Sequence, residues 1–412
     1  MIKQSKDNVG RKWQGWKPGE YQAHFIHTGV AESIFNIFPD GTTMLVDCGD
    51  HPAVTRLDLA VPVVPNPSRL AGSWIARYIS RVLPENHFVK SGKPVIDYML
   101  LTHFHDDHAG CYNWQSIDRE HVDWHLPNCN RSGFVLAAER FAFTKAIDRG
   151  WPDYDDPFPG NAEKATFDHM SLLYNALRER DGLDIEKFRV GAKDQIVPVH
   201  DSGSVNGFSV TNITSNGKIL CRDGSIKDLY ADYLADGPKP LNENGMSLGM
   251  IIRYGDFSIY LNGDFSDTLK GKDGETVKTE SLLAEELPKV DVAKINHHGH
   301  FSMPSPIIAA LAAKAWIACV WDQLHTVDEV MERLSDRSIY PDDRKHFPTV
   351  FPLERIASAA GKPFLADIAP ETIGNGAHVV VAVPQGGESF KITCLSTTDE
   401  SMSILGEYFF TK

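Results

Sequence analysis

Val95 to Thr102 is an unbroken apolar run with Asp97 as its only charge, and it leads directly into Thr102-His103-Phe104-His105-Asp106-Asp107-His108-Ala109-Gly110. A strand this apolar has to be buried, so the polar segment must sit at its end, on a loop that a rigid sheet holds in place. The chain has 17 histidines in 412 residues. At that frequency the pattern His-x-His-x-Asp-His arises by chance with a probability of roughly two in a thousand. A polar loop that merely happens to be His-rich is therefore the weaker account. On an extended stretch His103 and His105 point to the same side and can bind one ion. A turn into helix then swings Asp107 and His108 toward a second. Imidazole nitrogens with carboxylate oxygens suit zinc, and also manganese or iron.

Elsewhere the hydrophobic period alternates between two and 3.6. Tyr21 to Phe38, a turn at Pro39-Asp40-Gly41 and Thr43 to Val46 read as a hairpin ending in Asp47-Cys48-Gly49-Asp50. Leu70 to Leu83 places Trp74, Ile75, Tyr78, Ile79, Val82 and Leu83 on one helical face, stopped by Pro84. Phe134 to Ile147 and Phe167 to Arg180 read as helices. Strands return at Phe208–Ile213, Gly249–Tyr254, Phe257–Leu261 and Val290–Ile295. Ile307 to Val320 reads as a helix running into a buried strand, and Val379–Val383 with Phe390–Leu395 as a late hairpin. This alternation predicts an α/β layered fold. No linker is visible, so a single domain over residues 20–412 is expected, with a helical insert at about 131–190 and residues 1–19 as an N-terminal extension.

A content of 42% hydrophobic and 23% charged residues supplies an ordinary core. The net charge of -14 disfavours nucleic acid and acidic membrane surfaces as partners. No run approaches about 18 apolar residues, and the basic N-terminus lacks the apolar stretch of a signal peptide. The six scattered cysteines include no Cys-x-x-Cys pair, which predicts a reduced, cytoplasmic protein.

Two further segments offer ligands. Leu261-Asn262-Gly263-Asp264 ends a strand in an acid, and Ala293-Lys294-Ile295-Asn296-His297-His298-Gly299 ends another in paired histidines. Either alone reads as a turn or a structural pair. Following the His103–His108 cluster in this order, they become candidates for the same site. In an extended segment only one of His297 and His298 can face that site.

The order of these motifs resembles the metallo-β-lactamase superfamily, and within it the soluble hydrolase domain of ComEC-type competence proteins and the bacterial phosphorylcholine esterases. The likeness spans about residues 24–305. It comprises Phe25-Ile26-x-x-Gly29-x-x-x-Ser33-Ile34, Leu45-Val46-Asp47-Cys48-Gly49, the His103 cluster, Asn244-x-x-Ser247-Leu248-Gly249-Met250, Tyr254 to Asp264, and His297-His298-Gly299. It implies an αββα sandwich carrying two divalent ions, with zinc expected and manganese or iron as alternatives. His103 and His105 would bind the first ion, Asp107, His108 and His298 the second, and Asp264 would bridge them. Asp47 would orient a ligand imidazole from behind. Of the paired histidines, His298 is the expected ligand because it precedes Gly299 as in these relatives. The chain departs from the ComEC pattern at His27-Thr28-Gly29-Val30-Ala31-Glu32-Ser33, where an acidic Asp-Val-Gly-Gln-Gly-Asp-Ser run is usual. A third histidine on the first ion, common in the superfamily, has only His121, His125, His169 and His200 as candidates, none in a recognisable motif.

The implied activity is hydrolysis of a small phosphoester or phosphodiester by a bridging hydroxide, with Asp107 orienting it. Leaving-group protonation would fall to metal-bound water, His297 or His325; His325 lies just past an apolar strand and could equally be a polar cap. Hydrolysis of a lactam, lactone or thioester and a ComEC-like nuclease activity are the alternatives. A metal-holding scaffold or sensor is the non-enzymatic one, disfavoured by the intact ligand set. Asp106 is expected to face solvent. The acidic, aromatic stretch Asp148 to Pro159 reads as a lid or a surface connection, and Tyr408-Phe409-Phe410 as core or oligomer contacts.

Overall fold

The computed structural model describes residues 2–50, 60–85, 88–111, 126, 129–159, 164–201, 205–267 and 276–411. Strands β1 (Ile2–Ser5), β2 (Tyr21–Phe25), β3 (Ile34–Ile37), β4 (Thr43–Val46), β5 (Val89–Lys90), β6 (Lys93–Leu100), β7 (Ala142–Asp148) and β8 (Asp184–Lys187) lie in one sheet. The next eight build a second: β9 (Phe208–Ser215), β10 (Lys218–Leu220), β11 (Ile226–Asp228), β12 (Gly249–Tyr254), β13 (Phe257–Asn262), β14 (Val292–Lys294), β15 (Ala315–Ala318) and β16 (Lys345–Pro348). The chain then returns to the first sheet with β17 (Ala377–Val383), β18 (Ser389–Ser396) and β19 (Ile404–Thr411). The first sheet runs β1-β19-β18-β17-β2-β3-β4-β6-β7-β8, with β5 on β6; the second runs β11 through β10, β9 and then β12 to β16. The helices are α1 (Ala71–Val82), α2 (Asp106–Ala109), α3 (Phe134–Arg140), α4 (Lys164–Asp181), α5 (Thr279–Ala284), α6 (Ser305–Leu311), α7 (Asp328–Ser335) and α8 (Leu353–Ser358).

Alternation along the strands divides the apolar residues among three cores. Met44, Val46, Tyr98 and Leu100 of the first sheet meet Met250, Ile252, Ile259 and Leu261 of the second in a shared core. Leu45, Ile96, Met99 and Phe143 point the other way, onto α1, α3 and α4. Tyr260, Ala293 and Trp316 face α5, α6 and α7. Two stacked sheets with helices outside them make a mixed α/β sandwich. Among the described residues no helix is long and apolar enough to cross a membrane.

The sequence reading differs from the structure in the following places, and again at His297 and His298. Phe134 to Ile147 is not one helix: α3 stops at Arg140, and Ala142–Asp148 forms β7, parallel to β6. The stretch at 131–190 thus contributes two strands to the sheet as well as helices. Residues 2–19 are also built in, since β1 pairs with β19 and Trp13 is buried in the core under α1. The stretch from Asp148 to Pro159 is tied down as a connection. Asp156 there forms ion pairs with Lys187 (2.9 Å) and Lys218 (2.5 Å). Tyr408 and Phe410 are core residues, while Phe409 is exposed.

Two parallel pairs set up the site. β4 lies beside β6 in one sheet, and β13 beside β14 in the other. The candidate ligands follow the carboxyl ends of these strands, where open α/β sheets place their ligands.

Candidate metal centre

Backbone hydrogen bonds lock the loops together before any side chain is considered. Glu32 N donates to Asp107 O (2.8 Å), Gly49 N to Glu32 O (3.1 Å) and Cys48 N to His108 O (2.9 Å). From the second sheet, Leu248 N donates to Thr102 O (3.1 Å), Gly263 N to Leu248 O (3.0 Å) and His297 N to Gly263 O (3.3 Å). Gly263 is required here, because a Cβ would lie 2.6 Å from Thr102 Oγ1.

On this frame three imidazoles share one orientation, with Nδ1 turned to an oxygen and Nε2 turned inward. His108 Nδ1 donates to Asp47 Oδ2 (2.7 Å). His298 Nδ1 donates to Cys319 O (2.7 Å). His103 Nδ1 meets Thr102 Oγ1 (3.1 Å), whose hydroxyl is committed to Asp47 Oδ2 (2.7 Å). The inward nitrogens converge on two carboxylates. Asp264 Oδ2 lies 3.3 Å from His108 Nε2, 3.2 Å from His298 Nε2 and 3.9 Å from His103 Nε2. Asp107 Oδ2 is 3.0 Å from His298 Nε2 and 3.4 Å from His108 Nε2. His105 Nδ1 sits 3.1 Å from His103 Nε2. Asp106 is half-buried at the start of α2.

The electrostatics follow from this crowding. Burial alone would raise the Asp107 and Asp264 carboxyls, but the facing imidazoles of His108 and His298 hold both well below the usual carboxylate range. Burial would likewise lower His298, yet Asp264 and Asp107 push it up to about 10, and His108 is raised by the same carboxylates. The cluster thus favours positive charge at its centre. His108 Nε2 and Asp264 Oδ1 also make no well-formed hydrogen bond, although both are buried. Buried polar atoms without partners are costly unless something satisfies them. Ligand atoms of Glu32, His108, Asp264 and His298 all lie within 4.8 Å of one another, and this group could hold a metal ion.

Glu32 is the residue that sequence reasoning missed. Its carboxylate lies 2.9 Å from the buried Lys294 ammonium and 3.3 Å from His298 Nδ1. Lys294 also donates to Gly263 O (3.0 Å) and stands 4.0 Å from Asp264 Oδ1. The only signal was its place in the hairpin that runs into Asp47.

The remaining candidates divide. His297 and His298 both have left-handed backbones, φ 48° and 52°, so strand alternation does not govern them. His298 enters the cluster; His297 Nε2 stays 4.0 Å from Asp264 and accepts from Asn244 Nδ2 (3.0 Å). His325 is buried and lies parallel to His298, ring centres 5.2 Å apart. His200 pairs with Asp97 (3.0 Å), and His169 with Cys129 Sγ (3.1 Å), both away from the ligands. His121 and His125 lie outside the described residues.

A short helical turn, Glu243–Met246, braces the loops. Glu243 Oε1 accepts from Phe104 N (3.0 Å), between His103 and His105, and the carboxylate pairs with the fully buried Arg149 guanidinium (2.7 and 2.9 Å). Ser247 Oγ accepts from Asp264 N (2.9 Å). No family model matches the chain, and no curated protein is found to match it.

Proposed function

We propose that this chain is a metal-dependent hydrolase of the metallo-β-lactamase type, acting on a small phosphodiester with two divalent ions, zinc foremost. The reading is carried by one observation: three histidines with Nδ1 tied back and Nε2 aimed at Asp107 and Asp264. Outer hydrogen bonds of that kind are how proteins fix ligand imidazoles. His103 and His105 would hold one ion, Asp107, His108 and His298 the other, and Asp264 both, with Glu32 beside the second. Charge supports two. Asp47, Asp107, Asp264 and Glu32 are four buried carboxylates, of which only Glu32 and Asp264 lie against the buried ammonium of Lys294, and buried charge must be matched. When bound, such ions act as Lewis acids and lower the pKa of water to about 7.

The chain's own groups supply the rest. Asp107 accepts a hydrogen bond from the attacking water and so aims it. Burial pushes His297 down to about 4, so it is neutral at pH 7. Its Nε2 accepts from Asn244 and stands 4.0 Å from Asp264, so the neutral ring lines the site without supplying the proton; the leaving oxygen takes its proton from water. His325, also held neutral by burial, backs His298 through its stacked ring.

Elemental analysis of reconstituted protein, paired with assays, tests this reading. Two ions per chain are expected, and Asp264→Asn should lose metal and turnover while its circular dichroism stays native. Protein that binds no transition metal refutes the reading. With zinc- or manganese-loaded enzyme, a small phosphodiester should outrun single-stranded DNA, which the net charge of -14 repels. Turnover confined to a lactam or lactone would reassign the chemistry to carbon centres, and DNA cleavage without small-ester turnover would make it a nuclease.

A further inference from the structure

The loop that follows the paired histidines carries an aromatic ring out to solvent beside the site. Phe301 is 75% exposed, the most of any large apolar side chain among the described residues. Its ring stacks on His300, centres 4.1 Å apart and planes 29° from parallel. His300 in turn lies 5.6 Å from His297 and 5.2 Å from His325, whose ring lies parallel to that of His298. Exposure rises along this path, from 1% at His298 and 2% at His325 to 75% at Phe301. The rings form one continuous wall, closed at His298 and open at Phe301.

A single exposed apolar residue is ordinary on a protein surface. This one differs in its position and its support. It sits one ring from His297, and its backbone is held in the left-handed region, φ 51°, which L-residues adopt at a cost. It also borders an open cleft of about 370 Å³ lined by Asp267, Glu280, Ser302, Ser305 and Arg333, which leaves room beside the ring. Aromatic rings recognise flat π-systems by offset stacking.

We propose that His300 and Phe301 form a stacking platform for a planar aromatic group on the substrate, so that the esters taken are aryl or heteroaryl phosphodiesters. This rests on the hydrolase reading above and specifies its substrate class. The group that stacks would lie along the wall while its phosphoryl centre sits before Asp107 and His297.

Calorimetric binding of two probes, phenylphosphonate and methylphosphonate, to zinc-loaded protein tests the platform without relying on turnover. Wild type should prefer the phenyl probe about tenfold, the order of one stacked ring pair. Phe301→Ala should bring the ratio close to one, and Phe301→Trp should restore it. Equal affinities in wild type, or an unchanged ratio in Phe301→Ala, overturn the platform and leave the metal reading standing. If loaded protein binds neither phosphonate, the phosphoester reading fails and the platform with it. Phe301 is exposed, and surface substitutions of this kind shift stability little, so the variants remain measurable.

Discussion

A Cβ built on Gly49 would lie 1.6 Å from the carbonyl oxygen of Asp107, a backbone atom that cannot swing aside. Gly49→Ala must therefore push the end of β4 away from the ligand turn. The expected loss is about 3 kcal/mol with weakened metal binding, read by urea denaturation and metal titration; a variant with native values would show that the loops are not in contact. Asp47 acts on the same turn by hydrogen bonding, holding His108 through Nδ1 and Thr102 through N and Oγ1. Asp47→Asn should lower metal affinity about 10–100-fold, measured by competition with a chromophoric chelator, and cost about 1–3 kcal/mol of stability because buried donors lose their acceptor. The His103 cluster was legible in the sequence because its residues are neighbours in the chain. Glu32 was not, because what makes it part of the site is Lys294, 262 positions away and brought in only by the stacking of two sheets.

The brace at Glu243–Met246 shows how one short element can serve several loops. Arg149→Met would leave the Glu243 carboxylate buried without its cation, which costs about 3–5 kcal/mol, and would loosen the Phe104 amide it accepts. Arg149→Lys should recover part of the stability and part of the metal affinity, since it restores charge but not the two-pronged contact. Thermal melts and metal titrations of both variants decide this; equal effects of Met and Lys would mean that the charge does not matter. Most elements were legible from their period, including the α1 face, β6, β12 and β13. The failure at β7 has a local cause. Apolar residues from Phe134 to Ile147 keep a helical spacing, and neither glycine nor proline marks the break after Arg140. The open edge of β6 captures Ala142–Asp148 and overrides that spacing. At His297 and His298 the assumption of an extended strand failed because the chain turns left-handed there.

For the whole molecule, the sandwich tolerates acid poorly wherever it has buried imidazoles. His346 on β16 is fully buried, neither ring nitrogen has a hydrogen-bond partner among the described residues, and burial pushes it down to about 3. Above its ordinary value of 6.5 the ring is neutral folded or unfolded. As pH falls below 6.5 the unfolded chain takes up a proton that the native ring refuses until about 3, so stability drains away on acidification. At pH 5 this one group costs about 2 kcal/mol. His346→Leu should shrink the loss between pH 7.5 and pH 5 by that amount in urea denaturation; identical losses in both proteins would rule it out. The path of the chain through the first sheet has a different kind of consequence. β2 finds its outer partner only when β17 arrives, and contacts across that seam, such as His27 N to His378 Nδ1, join residues 351 positions apart. A ribosome making this protein must therefore extrude the 351 positions that separate them while β2 offers an unpaired, apolar edge to its surroundings. Slow translation ahead of Ala377 would prolong that exposure, and a chain released before it would keep the edge permanently, a ready template for clumping with its neighbours on the same polysome.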